Sequence, residues 1–273
     1  MGQSDIDVCV RVPGASSRGA QIRALRQIAE ALRPLKTHKV EPRFGAQVPI
    51  LRWAPVRPGM VACDLSINNV LAVANSRLLG AYVAIDGRLR VLGVCLKAWA
   101  QARGINDRSR GTLSSFALVL MLVHFLQRRS PPILPSLQDV ALSRCHPPVI
   151  IAGVDCRYAT DAAEIADELA ELSVGATPNS DSVGRLFVDF LWHFGHQYRH
   201  GIIRIRDTRS MLPPADESSC YLVVDNPFEP GKDVANVDAS HHDTIRREFR
   251  RARSLLAKGR PFSEICRPAA ADA

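Results

Sequence analysis

The spacing of apolar residues along the chain changes once, near residue 75. Before that point they come in short β-branched runs. IDVCVRV (6–12), VPILRWAPV (48–56) and MVACDLSIN (60–68) read as strands, the last two separated by a turn at Pro58-Gly59. Between the first and second runs lies RGAQIRALRQIAEALRPL (18–35), where Ile22, Leu25, Ile28, Ala29 and Leu32 recur at helical spacing. After residue 75 the period is helical nearly throughout. SRLLGAYVAID, RLRVLGVCLKAWAQARG, TLSSFALVLMLVHFLQRR, ATDAAEIADELAEL and SDSVGRLFVDFLWHFGHQY read as helices, most of them bounded by Gly, Pro, Asp or Ser, and the basic helix DTIRREFRRARSLLAKGR closes the pattern. The proline-rich segment 128–148 reads as a loop with no element of its own. The expected class is α+β: an α/β part over 1–75, then a mostly helical part over 76–273.

Composition narrows the function. A chain of 273 residues, 47% hydrophobic and 23% charged, buries a substantial core and is not a disordered tail. Its 35 Lys plus Arg against 27 Asp plus Glu give a formal charge of +8, which favours a polyanionic partner such as nucleic acid or a nucleotide, although solvated basic faces produce the same number. The seven cysteines form an odd count without C-x-x-C or zinc spacing, so they read as reduced thiols of an intracellular protein, with the cytoplasm the simplest compartment and the nucleus or an organelle left open. The longest apolar run, LSSFALVLMLVHFLQ, has 15 residues, shorter than a membrane span. No secretory or transit pattern precedes the first acidic residues, and no membrane partner is expected.

Two aspartates interrupt the first strand. Residues i and i+2 of a strand share a face, so Asp5 and Asp7 project side by side while Ile6 and Val8 point to the core. Two like charges that close repel unless a divalent cation neutralises them, and the alternative is an exposed strand end with solvated carboxylates. Asp64, again a polar residue in an apolar strand, shifts the balance, because a neighbouring strand would bring it beside the pair. Three such aspartates can hold two Mg²⁺ ions roughly 3.5–4 Å apart, one activating an attacking hydroxyl and the other stabilising a leaving pyrophosphate.

The blocks SDIDV, CDLSINN followed by NS, LKAWAQARGIND, GTLSSFALVLMLVHFLQ and NPFEPGKDVA occur in the order and at the spacing of a known family. Over nearly its whole length the chain resembles the polymerase-β-like terminal RNA nucleotidyltransferases, the noncanonical poly(A) polymerases and terminal uridylyltransferases. The resemblance implies a polymerase-β-type nucleotidyltransferase domain (1–75) with a mixed sheet, then a helical central domain (76–273) whose PAP-associated segment spans about 180–240. It implies nucleotide bound in the cleft between them. The activity implied is template-independent addition of uridylate or adenylate, from UTP or ATP with Mg²⁺ or Mn²⁺, to an RNA 3′ end.

Residue by residue, Asp5, Asp7 and Asp64 match the metal-binding triad, and Ser4 falls among the nucleotide-binding positions. Asn75 and Ser76 match ribose contacts, although Asn-Ser before RLLGAYV also suits a helix N-cap. Lys97 matches a triphosphate-binding lysine, while a second lysine usual one turn later is Gln101 here. Ser115 matches a hydroxyl on the triphosphate. Phe116 stands where a tyrosine usually stacks on the base, with core packing as its alternative. Glu229 matches an acid that reads the base edge, and Asn226 replaces a commoner aspartate. Lys232 falls where uridylyl-preferring members often carry a histidine, which leaves adenine and uracil open; a solvated loop lysine is the other reading. Family members also carry a Gly-Ser pair on a short helix upstream of the first aspartates, where only Met1, Gly2 and Gln3 precede SDID. The resemblance therefore implies a chain lacking its first strand and phosphate-binding turn, and two outcomes: an active enzyme, or an impaired relative that binds RNA or a protein. A small-molecule or oligoadenylate-type nucleotidyltransferase shares the three aspartates, but the helical blocks around Lys97 and Ser115 weigh against it.

Overall fold

The computed structural model describes residues 5–57, 59–173, 177–198, 201–206 and 222–268. Ser4, Pro58 and Cys220 lie outside the described residues. The chain forms two compact units, Met1–Ser76 and Arg77–Ala273.

The first unit is built on a four-stranded mixed sheet. Its strands are β1 (Ile6–Val10), β2 (His38–Arg43), β3 (Ile50–Pro55) and β4 (Cys63–Ile67), in the spatial order β1-β4-β3-β2. β1 runs parallel to β4, and the other pairs are antiparallel. Helix α1 (Arg18–Leu32) begins at Ser17, whose side chain accepts a hydrogen bond from the Ala20 amide. It covers one face of the sheet. There Leu25 and Ala29 of α1 meet Leu51 and Ile67, with Leu25 and Leu51 fully buried, each contributing about 1.5–3 kcal/mol of apolar burial. Ile6 does not join this core: it is 51% exposed, because α1 covers the opposite end of β1, where Val10 and Val12 pack. β2 is an edge strand that the apolar pattern did not reveal. Its Lys39, Glu41 and Arg43 alternate onto the open face and only Val40 joins the core, so its polar sequence hides a strand.

Asn68 ends β4 in the left-handed conformation, φ +53°. Its side chain accepts from the Val12 amide and donates to the carbonyls of Val12 and Ala15, tying the exit of β4 to the loop after β1. The chain then enters α2 (Val70–Ile85). This helix starts earlier than the pattern predicts, so Asn75 and Ser76 lie inside it and are not its N-cap.

The second unit is helical. It holds α3 (Gly87–Ala102), α4 (Ser115–Gln127), α5 (Leu137–Ser143), the hairpin β5 (Ile150–Ile151) and β6 (Val154–Asp155), α6 (Ala162–Leu172) and α7 (Val183–Trp192). After it come the parallel pair β7 (Ile202–Ile203) and β8 (Val223–Val224), then α8 (Ala239–Ala257) and α9 (Phe262–Ile265). α4 is hydrophobic all round because it is buried all round: Leu118, Met121, Leu122 and Leu126 are each 1% exposed or less. α7 and α8 meet through Phe190 and Phe249, ring centroids 5.9 Å apart, and Trp99 of α3 reaches Phe249 at 5.2 Å. α5 corrects the expectation of a bare loop over 128–148. Ser136 caps it by accepting from the Asp139 amide, and Leu137, Val140 and Ala141 turn inward, a pattern too short to stand out beside five prolines. Among the described residues no helix is long and apolar enough to cross a membrane.

Candidate active site

Strand register places the aspartates. Asp7 of β1 lies directly opposite Asp64 of β4, which lies opposite Arg52 of β3, which lies opposite Glu41 of β2. This lateral row crosses the face that α1 leaves open. Asp5 joins it through Arg52, whose Nη1 donates to Asp5 Oδ2 at 2.7 Å and approaches Asp64 Oδ1 at 3.5 Å. Asp5 and Asp64 thus share one guanidinium, and with Asp7 in register beside Asp64 the three aspartates outnumber it. Burial pushes the Asp64 carboxyl above its usual range, Asp5 and Asp7 push it further, and Arg52 and Arg43 pull it back. Its hydrogen bond with Asp5 raises Arg52 in turn.

Such a donor set, hard oxygens in excess over their counter-charge, fits a divalent cation in kind and in register. The Asp5 and Asp64 side chains are turned to Arg52, and among the described residues no three acidic, His or Cys groups close on a common point. Arg52 and Glu41 escaped the sequence reading. The signal for Arg52 was present, since it interrupts the apolar run VPILRW as Asp64 interrupts its own.

Among the other candidates, Asn75 is half-buried in α2 with its Oδ1 buried and unpaired, an acceptor suited to a hydroxyl, and Ser76 beside it is exposed. In the helical unit Lys97 is half-buried on α3, with no hydrogen bond or ion pair to the described residues. α4 starts with Ser114 as its cap: that hydroxyl donates to the Val234 carbonyl and accepts from the Ala117 amide. Ser115 takes the first helical position, its hydroxyl donating to Asn106 Oδ1 at 3.0 Å, so Asn106 is a second residue the sequence did not disclose. Phe116 is only half-buried, which sets it apart from the core positions that follow.

The 225–233 loop is organised by its own polar groups. Asn226 Nδ2 donates to Glu229 Oε2 at 2.9 Å, and Lys232 Nζ donates to both Glu229 oxygens at 2.9 Å. Lys232 is therefore paired rather than solvated alone, and Glu229 enters any contact with a base already bound to a cation. Asp225 fixes the loop by accepting from the Gly231 amide and pairing with Arg204.

A mixed sheet that sets Asp7 and Asp64 side by side on its open face and draws Asp5 to them through Arg52, with a helical unit following, is the polymerase-β-type nucleotidyltransferase fold. Residues 1–84 match the model of the central palm domain of mitochondrial-like poly(A) RNA polymerases. The chain is 32% identical over 271 residues to terminal uridylyltransferase 7 of Homo sapiens, covering 95% of this chain and 18% of that protein. It is 30% identical over 274 residues to poly(A) RNA polymerase cid11 of Schizosaccharomyces pombe, covering 97% and 53%. It thus spans about half the length, or less, of these relatives. The crystal structure of the Cid1 poly(U) polymerase superposes with a TM-score of 0.77 at 27% identity, over 97% of this chain and 81% of that one. A Cid1 mutant bound to MgATP reaches 0.79 at 26%, with the same coverage. This chain belongs to the family of noncanonical poly(A) polymerases and terminal uridylyltransferases.

Proposed function

We propose that this chain transfers adenylate or uridylate from ATP or UTP to the 3′ end of RNA without a template. The observation that carries the reading is the row Asp7–Asp64 on the open sheet face, with Asp5 drawn to it through Arg52. Family membership supports it, as do the names of the relatives and the Cid1 complexes with MgATP and with the short product ApU.

Asp5, Asp7 and Asp64 would hold Mg²⁺, or Mn²⁺ in its place. Bound there, the ions would lower the pKa of the RNA 3′-hydroxyl and neutralise charge on the leaving pyrophosphate. The other residues bind and orient. Asn75 Oδ1, lacking a partner, accepts a hydrogen bond from a ribose hydroxyl, and Ser76 lies next to it. The family match gives Lys97 and Ser115 to the triphosphate: one supplies an ammonium that has no ion pair among the described residues, the other a hydroxyl held in place by Asn106. Phe116 offers an aromatic face to the base. At the base edge Lys232 and Glu229 act as one ion pair, presenting donors on the ammonium and remaining acceptor capacity on the carboxylate, so that neither adenine nor uracil is excluded.

The test is extension of a labelled RNA oligonucleotide with each of the four NTPs and Mg²⁺. Extension with ATP or UTP, abolished by chelator, is expected. No extension with any NTP, while the RNA is still bound, would overturn the reading in favour of a binding module.

A further inference from the structure

Arg52 has carboxylates on both sides. In the row across the sheet Asp64 precedes it and Glu41 follows it, each directly in register. Its guanidinium sits on the metal-site side, on Asp5 and Asp64. The opposite perch is loosely held: Glu41 pairs with Lys39 at 3.2 Å and Arg43 at 3.7 Å, and those two side chains are 72% and 53% exposed. Solvated pairs of that kind stabilise little and are readily exchanged.

We propose that Arg52 is a built-in cation that competes with the divalent metal for Asp5 and Asp64 and passes to Glu41 when metal binds, so that it sets the metal requirement of the catalytic centre. The proposal rests on the reading of Asp5, Asp7 and Asp64 as metal ligands. The physical basis is charge. Without metal, the neighbouring carboxylates of Asp5, Asp7 and Asp64 repel, and a guanidinium, which keeps its proton at any working pH, is the permanent counter-charge that lets the metal-free protein fold around them. Metal must displace that hydrogen-bonded cation, so observed metal affinity is the intrinsic affinity reduced by the cost of moving Arg52. The neighbouring carboxylate on β2 lowers that cost by giving the displaced guanidinium a partner one strand away.

The experiment is a Mn²⁺ titration followed by electron paramagnetic resonance without nucleotide, paired with thermal melts in chelator and in saturating Mg²⁺. Wild type is compared with Arg52→Gln, Arg52→Lys, Glu41→Gln and Asp64→Asn. Arg52→Gln is expected to bind Mn²⁺ about tenfold more tightly, the factor carried by one charge-assisted hydrogen bond. It should melt lower than wild type in chelator and recover that loss in Mg²⁺, whereas a merely structural arginine would lower both melts alike. Arg52→Lys, which keeps the charge but loses the fork, should fall between, and it carries the test if Arg52→Gln does not fold. Glu41→Gln should weaken Mn²⁺ binding more in the wild-type background than beside the Arg52 substitution. Unchanged or weaker Mn²⁺ affinity in both Arg52 variants, with binding still lost in Asp64→Asn, would overturn the exchange while leaving the metal site standing. Absence of any Asp64-dependent Mn²⁺ binding would overturn both.

Discussion

Two arginine–carboxylate clusters in this molecule look alike and differ in their sums. On the sheet, one arginine, Arg52, serves two aspartates, Asp5 and Asp64, with a third, Asp7, in register beside Asp64. In the helical unit, Glu248 of α8 is shared by two arginines: Arg103 at 2.9 Å and Arg251 at 2.8 Å. Those arginines spend their remaining donors on the backbone of the C-terminal segment, Arg103 on the Arg267 carbonyl and Arg251 on the Ile265 carbonyl. The result is a latch for α9, in which hydrogen bonds from both arginines hold Glu248 below its usual carboxylate range against the opposing effect of burial. At the sheet the carboxylates are in excess, and Asp64 is pushed the other way. A cluster whose carboxylate is outnumbered by its cations is a structural device, whereas one left with surplus negative charge is waiting for a cation.

The largest expected effect falls on the acid-rich cluster of the sheet. Asp7→Asn keeps the shape of the side chain and removes a charge that the fold does not need, so RNA extension should fall by about a thousandfold or more, as expected for losing several kcal/mol of charge stabilisation, while the melting temperature holds. A melt that fell with the activity would erase the contrast. In the helical unit Glu248→Gln should do the reverse. Removing the shared acid leaves two arginines without their counter-charge and should cost about 3 kcal/mol in denaturant unfolding, with Mn²⁺ affinity unchanged.

An effect spread over several pH units marks a place in the helical unit where charge is avoided. His124 is buried in α4 with Nδ1 donating to the Arg204 carbonyl, and burial holds it down to about 3 from 6.5. Below pH 6.5 the unfolded chain takes a proton that the folded chain refuses. Stability should therefore decline as pH falls from 6.5 towards 3, by up to about 1.4 kcal/mol per pH unit from this group. Unfolding midpoints across that range should show the slope in wild type and a shallower one in His124→Gln. Equal slopes would mean that His124 is not the group responsible.

What could be read from the sequence follows the same division. α1, α3, α4, α7 and α8 announced themselves because each buries a long stripe, and periodicity reports burial. Asp5, Asp7 and Asp64 were visible for the opposite reason, as charged residues inside apolar strands. β2 was hidden because an edge strand facing solvent keeps a polar sequence, and α5 because two turns of helix give too few periodic positions. The early start of α2 was missed because VLAVA after Asn69 reads equally as the tail of a strand. Arg52 stood out as the aspartates did, but its place between Asp64 and Glu41 needed strand register, which no single sequence supplies. Asn106 needed the loop that returns it to Ser115, and the Glu229–Lys232 pair needed the turn at Gly231, φ +82°.

The central claim is that the carboxylate row is catalytic and not structural, and Asp64→Asn tests it most directly. Asp64 is half-buried, and burial together with Asp5 and Asp7 disfavours its charge. Neutralising it should therefore leave the metal-free protein at least as stable as wild type while removing Mg²⁺-dependent addition of nucleotides to an RNA 3′ end. Extension and unfolding should be measured on the same two preparations. The predicted result is a folded Asp64→Asn protein with no detectable extension beside a wild type that extends. An Asp64→Asn protein that extends RNA as wild type does, or that loses extension only because it no longer folds, would contradict the account.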